Sequence, residues 1–198
     1  MQDVMLDLET LDTKPTAVVL AIGAVFFDPK TGELGQRFYQ ELANDVESQL
    51  AMGRTMSYKT IQWWMKQGDK ARELFNPLEN NSAPRTLHTL NLFQNFLGPL
   101  KPNIWGNGSD FDNMLLASLY ESYNTPVPWQ FYRNRCYRTI KQSFYGIAPL
   151  KREGTHHNAL DDAVTQATHL MEIMRCVNSH SSASQAELAL AKTPLPSS

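Results

Sequence analysis

Asp7-Leu8-Glu9-Thr10 sets two carboxylates on alternate residues of an apolar run that begins at Val4. Val4, Met5, Leu6 and Leu8 predict a strand, and side chains two apart on a strand leave the same face. Asp7 and Glu9 therefore point together. Paired carboxylates on a largely buried strand raise one another's pKa, and their burial needs a compensating partner. A divalent cation is the simplest such partner. The alternative for a D-x-E triplet alone is a solvent-facing pair on an edge strand. The decision falls to the acidic residues elsewhere in the chain.

The 198 residues, 22.5 kDa and 42% hydrophobic content suit one domain with a substantial core and a short tail. A formal charge of -2 and a pI near 6.2 exclude a protein that holds nucleic acid by bulk positive charge. They leave room for an enzyme whose metal ions supply that charge locally. Cys136 and Cys176 lie far apart with no zinc-type spacing around them, so both are expected to be reduced thiols in a cytoplasmic protein. Asp3 and Asp7 stand where a signal peptide would be basic and then apolar. The longest nearly apolar run, Ala17 to Phe27, is about half of the roughly 20 residues needed to cross a bilayer. No membrane segment is expected.

After the opening strand, Val18 to Phe27 predicts a central strand interrupted by Gly23, and Asp28-Pro29-Lys30-Thr31-Gly32 predicts a turn. A third strand around Arg37-Phe38-Tyr39 completes an antiparallel meander. Helices follow, one with Ser57 as cap and Ile61, Trp63, Trp64 and Met65, another with Asp69 as cap. Asn76 to Pro84 predicts a loop, and Leu87, Leu90, Phe93, Phe96 and Leu97 recur at helical spacing up to Gly98-Pro99. Ile104-Trp105 predicts a short strand, Gly106 to Asp110 a turn, and Phe111 to Leu119 a helix. Further on come a strand at Trp129 to Tyr132, a short helix at Ile140 to Phe144 and an amphipathic helix from Ala159 to Met174. The expected domain is 1–177, and 178–198 is expected to be a disordered tail in which Ala186 to Ala191 forms at most a turn of helix. Strands first, then alternating helices and short strands, indicate an α/β mixed sheet flanked by helices.

Two more acidic stations match the first: Asp112, at the start of a helix that follows a strand, and Asp162, in the last helix, five residues after His157. Four carboxylates from three separated segments suit a pair of Mg2+ or Mn2+ ions, which prefer oxygen ligands. Asp7-Leu8-Glu9-Thr10, Gly108-Ser109-Asp110-Phe111-Asp112 and His157-Asn158-Ala159-Leu160-Asp161-Asp162-Ala163 together resemble the three motifs of the DEDDh 3'-5' exonucleases, of ribonuclease H-like fold. Ile61-Gln62-Trp63-Trp64, Trp105-Gly106-Asn107-Gly108-Ser109 and Arg135-Cys136-Tyr137-Arg138-Thr139 resemble the small stand-alone bacterial and phage branch. The resemblance covers about residues 1 to 176.

It implies two metals about 3.5 to 4 Å apart on the scissile phosphate. Asp7 would bridge them, Glu9, Asp112 and Asp162 would complete their shells, and His157 would take the proton from the attacking water. The expected product is a nucleoside 5'-monophosphate. The expected partners are single-stranded DNA or RNA 3' ends, DNA being favoured, with a homodimer as a further candidate. The alternatives are an RNA-trimming exonuclease and a catalytically silent nucleic-acid-binding module.

Other assignments stay open on sequence grounds. Asp110 competes with Asp112, and His156 with Asp161 imitates His157 with Asp162 one residue earlier. Asp161 and Asp162 would also be favourable near a helix N-terminus without any metal. Thr10, Leu11, Trp63 and Asn107 are the candidate substrate contacts; Leu11 resembles a wedge beside the terminal base and serves equally as an inward-packing turn residue. Adjacent helical residues diverge by about 100°, so at least one of Trp63 and Trp64 belongs to the core. Arg133, Arg135, Arg138, Lys141, Lys151 and Arg152 would track the backbone or simply be solvated.

Overall fold

The computed structural model describes residues 1–75, 85–148 and 154–191, with side chains to Ser179. The expected loop at 76–84 and the cations Lys151 and Arg152 lie outside the described residues. Strands β1 (Asp3–Thr10), β2 (Val19–Asp28) and β3 (Glu33–Glu41) form the anticipated meander. Helices α1 (Val46–Ala51), α2 (Tyr58–Trp64), α3 (Asp69–Arg72) and α4 (Thr86–Leu97) follow. Then come β4 (Asn103–Gly106), α5 (Met114–Ser122), β5 (Asn134–Cys136), α6 (Tyr137–Ser143) and α7 (Ala159–Ala191).

The sheet order is β3-β2-β1-β4-β5, with β4 parallel to β1 and β5 parallel to β4. One face of β1, through Val4, Leu6 and Leu8, packs on Leu90, Phe93 and Leu97 of α4 and on Leu115, Leu116 and Leu119 of α5. The other face, through Met5, packs on Ala163, Ala167 and Leu170 of α7. Every residue of β2 from Val19 to Phe27 is buried, because helices cover both faces, which explains the continuous apolar run in its sequence. The result is a mixed sheet flanked by helices. Among the described residues no helix is long and apolar enough to cross a membrane.

The structure departs from expectation in three places. Trp129 to Tyr132 is not a strand. Trp129 is buried against Phe93 and Tyr120, Phe131 to Arg133 form a 3-10 turn, and pairing with β4 starts at Asn134. Three aromatics in four residues imitated a strand, although Phe131 is 82% exposed. The tail expected from residue 178 begins inside α7, which continues to Ala191; residues 192–198 lie outside the described set. Good helix formers at 185–191 are consistent with that continuation. Ser57 occupies the N-cap position of α2 without a side-chain capping bond, and Gly68 rather than Asp69 is the N-cap of α3.

Candidate active site

The carboxyl ends of the parallel strands β1, β4 and β5 are the natural place for a site in an open α/β sheet. Alternation along β1 turns Asp7 and Glu9 to the face that carries Met5, toward α7. Pairing of β1 with β4 runs from Asp3 opposite Asn103 to Met5 opposite Trp105. Beyond it the chain turns through Gly108, at φ 125°, into a wide π-type turn over Ser109–Asn113. Such turns recur at functional sites because they re-aim one side chain.

That turn buries Asp112, which is 2% exposed, while Asp110 is exposed. A Cβ at Gly106 would fall within 3.0 Å of both the Cβ and Oδ2 of Asp112, so the glycine makes room for this carboxylate. Burial pushes the Asp112 pKa from 3.8 up to about 7, against the opposing pull of the Asn107 and Leu8 backbone amides and the Arg138 charge. Its Oδ2 is buried with no hydrogen-bond partner among the described residues. Asn113 fixes the turn, its Nδ2 donating to the Ile104 carbonyl at 2.7 Å and to Asn134 Oδ1 at 3.1 Å.

The start of α7 supplies the third segment. Asn158 Oδ1 accepts the N–H groups of Leu160 and Asp161, both at 3.1 Å, which caps the helix. Asp161 Oδ2 accepts the Thr155 N–H at 2.7 Å, and Gly154, at φ 88°, leaves space for that carboxylate. Asp161 therefore secures the loop, while Asp162 approaches Glu9. Glu9, His157 and Asp162 each present an oxygen or ring nitrogen within 4.8 Å of the others. His156 is exposed, whereas His157 adopts φ 62° and stands edge-on to Trp63 at 4.7 Å between ring centroids.

The close approach of α7 depends on Gly23, which pairs with Asp7 across β1 and β2. Any Cβ there would overlap the backbone of Ala159 and Leu160. The glycine that interrupts the central strand in the sequence is the seat of the helix that carries Asp162.

Asp7 and Asp112 stand outside the three-residue group. Asp7 Oδ1 accepts a 2.7 Å hydrogen bond from Gln166 Nε2, a residue that motif reading did not single out. Its signal was available, since Gln166 follows Asp162 by four residues and so lies on the same helix face.

A cleft of about 400 Å³ adjoins the site and is lined by Glu9, Thr10, Thr13, Ser57, Trp63 and Phe111 among others. Trp63 is 44% exposed on its wall, and Trp64 is 2% exposed, its Nε1 donating to the Thr10 carbonyl at 2.9 Å. Thr10 Oγ1 donates to the Asp12 carbonyl at 2.8 Å. Leu11 is buried with Val18, Leu20 and Trp64 and is not part of the cleft lining. Asn107 is half-buried and places its amide beside Asp112. Within the basic cluster, Arg133 and Arg135 donate to the chain's own oxygens, and Lys141 lies over the Tyr137 ring. Among the described members, Arg138 places its guanidinium close to Gly108 and its charge acts on Asp112.

Glu9, His157 and Asp162 bring oxygen and ring-nitrogen donors together, and Asp112, against the Leu8 backbone, adds a buried oxygen without a donor, a chemistry that hard divalent cations fit. Against this geometry, the sequence profile of the 3'-5' exoribonuclease Rv2179c-like domain matches residues 2–174. The chain belongs to that family. An exodeoxyribonuclease of Enterobacteria phage T4 is 26% identical over 130 residues, 60% of this chain. The chain spans only 56% of the phage protein's length. Among solved structures, the nuclease domain of 3'hExo, a DEDDh family member bound to rAMP, superposes with a TM-score of 0.59 at 12% identity, covering 87% of this chain and 91% of that one. Exonuclease X in complex with 5' overhanging duplex DNA gives 0.54 at 14% identity, covering 88% and 92%. These two likenesses establish the fold. The family match identifies residues 2–174 as an Rv2179c-like 3'-5' exoribonuclease domain.

Proposed function

We propose that the protein is a 3'-5' exonuclease that removes nucleoside 5'-monophosphates from the 3' end of single-stranded nucleic acid. The observation that carries this reading is the convergence of Glu9, His157 and Asp162 within 4.8 Å, beside a cleft walled by Trp63. Asp7, Glu9, Asp112 and Asp162 would hold two Mg2+ or Mn2+ ions. When bound, such ions stabilise charge on the phosphodiester and lower the pKa of water.

The remaining work falls to the chain itself. His157, mounted before α7 and steadied by the edge of Trp63, accepts the proton of the attacking water. The exposed face of Trp63 stacks the terminal base, a contact of about 1–3 kcal/mol where such stacking occurs. Thr10 approaches the terminal nucleotide from the cleft floor, and Asn107, outside the cleft lining, acts on it from beside Asp112. Leu11 supports that floor from below, which is the role its burial favours over a wedge. Arg138 balances phosphate charge beside Asp112.

These residues act on the phosphodiester, so the geometry serves either polymer. DNA is the first choice on sequence grounds. The family's description as an exoribonuclease, matched over residues 2–174, supports RNA as a second reading. Discrimination rests on how the cleft treats the 2'-hydroxyl. Digestion of matched single-stranded DNA, duplex DNA and RNA with Mn2+ decides between them. Release of mononucleotides from at least one single-stranded substrate is expected, and release from none would overturn the proposal.

A further inference from the structure

Gln166 is 9% exposed on α7, one turn beyond Asp162, and donates from Nε2 to Asp7 Oδ1 at 2.7 Å. The amide nitrogen is the atom that faces Asp7, since of the two amide atoms it alone can donate. That fixes the position of Oε1, which is buried with no hydrogen-bond partner among the described residues. A buried amide oxygen without a donor is destabilising, so its retention beside an acidic centre points to a donor that arrives with a ligand. Mg2+ and Mn2+ bring such donors, because these ions keep several bound waters.

We propose that Gln166 is a positioning residue of the metal cage. Its Nε2 holds the Asp7 carboxylate in orientation, and its Oε1 accepts from water carried by an ion at that carboxylate. The neighbouring small residues Ala163 and Ala167 pack α7 on the sheet, which brings residue 166 to the level of Asp7 on β1. The inference rests on the metal-holding role given above to Asp7. It adds a partner that helps to hold the Asp7 carboxylate in one orientation. Outer-shell partners of this kind change metal affinity by about 10–100-fold when removed.

The test is a calorimetric titration of Mn2+ into metal-free protein, without nucleic acid, for wild type, Asp7→Ala, Gln166→Met and Gln166→Glu. Thermal unfolding of each is measured with and without Mn2+. Gln166→Met keeps length and loses both polar atoms. It should bind Mn2+ about 10–100-fold more weakly, while KM for an oligonucleotide at saturating Mn2+ stays at the wild-type value. Gln166→Glu sets a carboxylate against Asp7, so its metal-free melting temperature should fall and its rise on adding Mn2+ should exceed that of wild type. This second variant decides the matter if Gln166→Met does not fold. Wild-type Mn2+ isotherms and wild-type thermal shifts in both variants would overturn the inference and leave the metal cage standing. Absence of Asp7-dependent Mn2+ binding in wild type would overturn both.

Discussion

The backbone of Ala159 lies on Gly23, filling the space that any side chain on this central strand residue would occupy. Because Gly23 is also the partner of Asp7 across the sheet, one contact sets the distance between the first and third acidic segments. Gly23→Ala must displace either the strand or the start of α7. Overpacking of this kind costs about 1–3 kcal/mol. The variant should melt at a lower temperature and bind Mn2+ more weakly, since Asp162 moves with the helix. Wild-type Mn2+ affinity in a folded Gly23→Ala protein would show that the seat is not needed.

His157 sits on the loop before α7 rather than on the sheet, and its proposed work is proton transfer. His157→Ala should reduce kcat by about 10²–10⁴-fold. Mn2+ affinity should remain near wild type. A loss of affinity as large as that of Asp7→Ala would make His157 a ligand instead of a base.

Asp112 gives the metal-free protein a definite pH dependence. Its folded pKa, about 7, lies above the ordinary 3.8 because burial disfavours the charged form. Between those values the unfolded chain has released the proton and the folded chain has kept it. The contribution of this group to stability is therefore most favourable below pH 4 and is lost as pH rises toward 7. Urea unfolding in EDTA from pH 5 to 8 should show a steeper decline for wild type than for Asp112→Asn, and saturating Mn2+ should flatten the wild-type curve. Equal slopes in EDTA would contradict the assigned burial effect.

The two tryptophans separate cleanly. Trp64→Ala empties a fully packed position and removes a bond to the Thr10 carbonyl, so a stability loss of about 3–5 kcal/mol is expected. Trp63→Ala, at a partly exposed site, should leave the melting temperature nearly unchanged and raise KM for oligonucleotides, by an amount worth about 1–3 kcal/mol. A large stability loss in Trp63→Ala with unchanged KM would remove Trp63 from the substrate cleft.

Much of this arrangement was legible in the residues. The alternation of Asp7 and Glu9 along an apolar run sets them on a common face, and the last helix, from Ala159 to Met174, reads as amphipathic. Other features were hidden, because they depend on contacts between distant segments. Gly23 reads as a blemish in a strand until α7 is seen resting on it, and Gly106 reads as a turn residue until Asp112 is seen beside it. Gln166 shares a helix face with Asp162 in the sequence, but its partner, Asp7, lies 159 positions away and is seen only in the fold. At Trp129 to Tyr132, composition misled, since one aromatic enters the core and the others face solvent.

The most direct test of the central claim is digestion of a 5'-labelled single-stranded oligonucleotide by the metal-free protein supplied with Mn2+. A ladder shortened one nucleotide at a time from the 3' end is predicted, absent in EDTA and lost in Asp162→Ala. Internal fragments without that ladder, or an undiminished ladder from Asp162→Ala, would contradict the account.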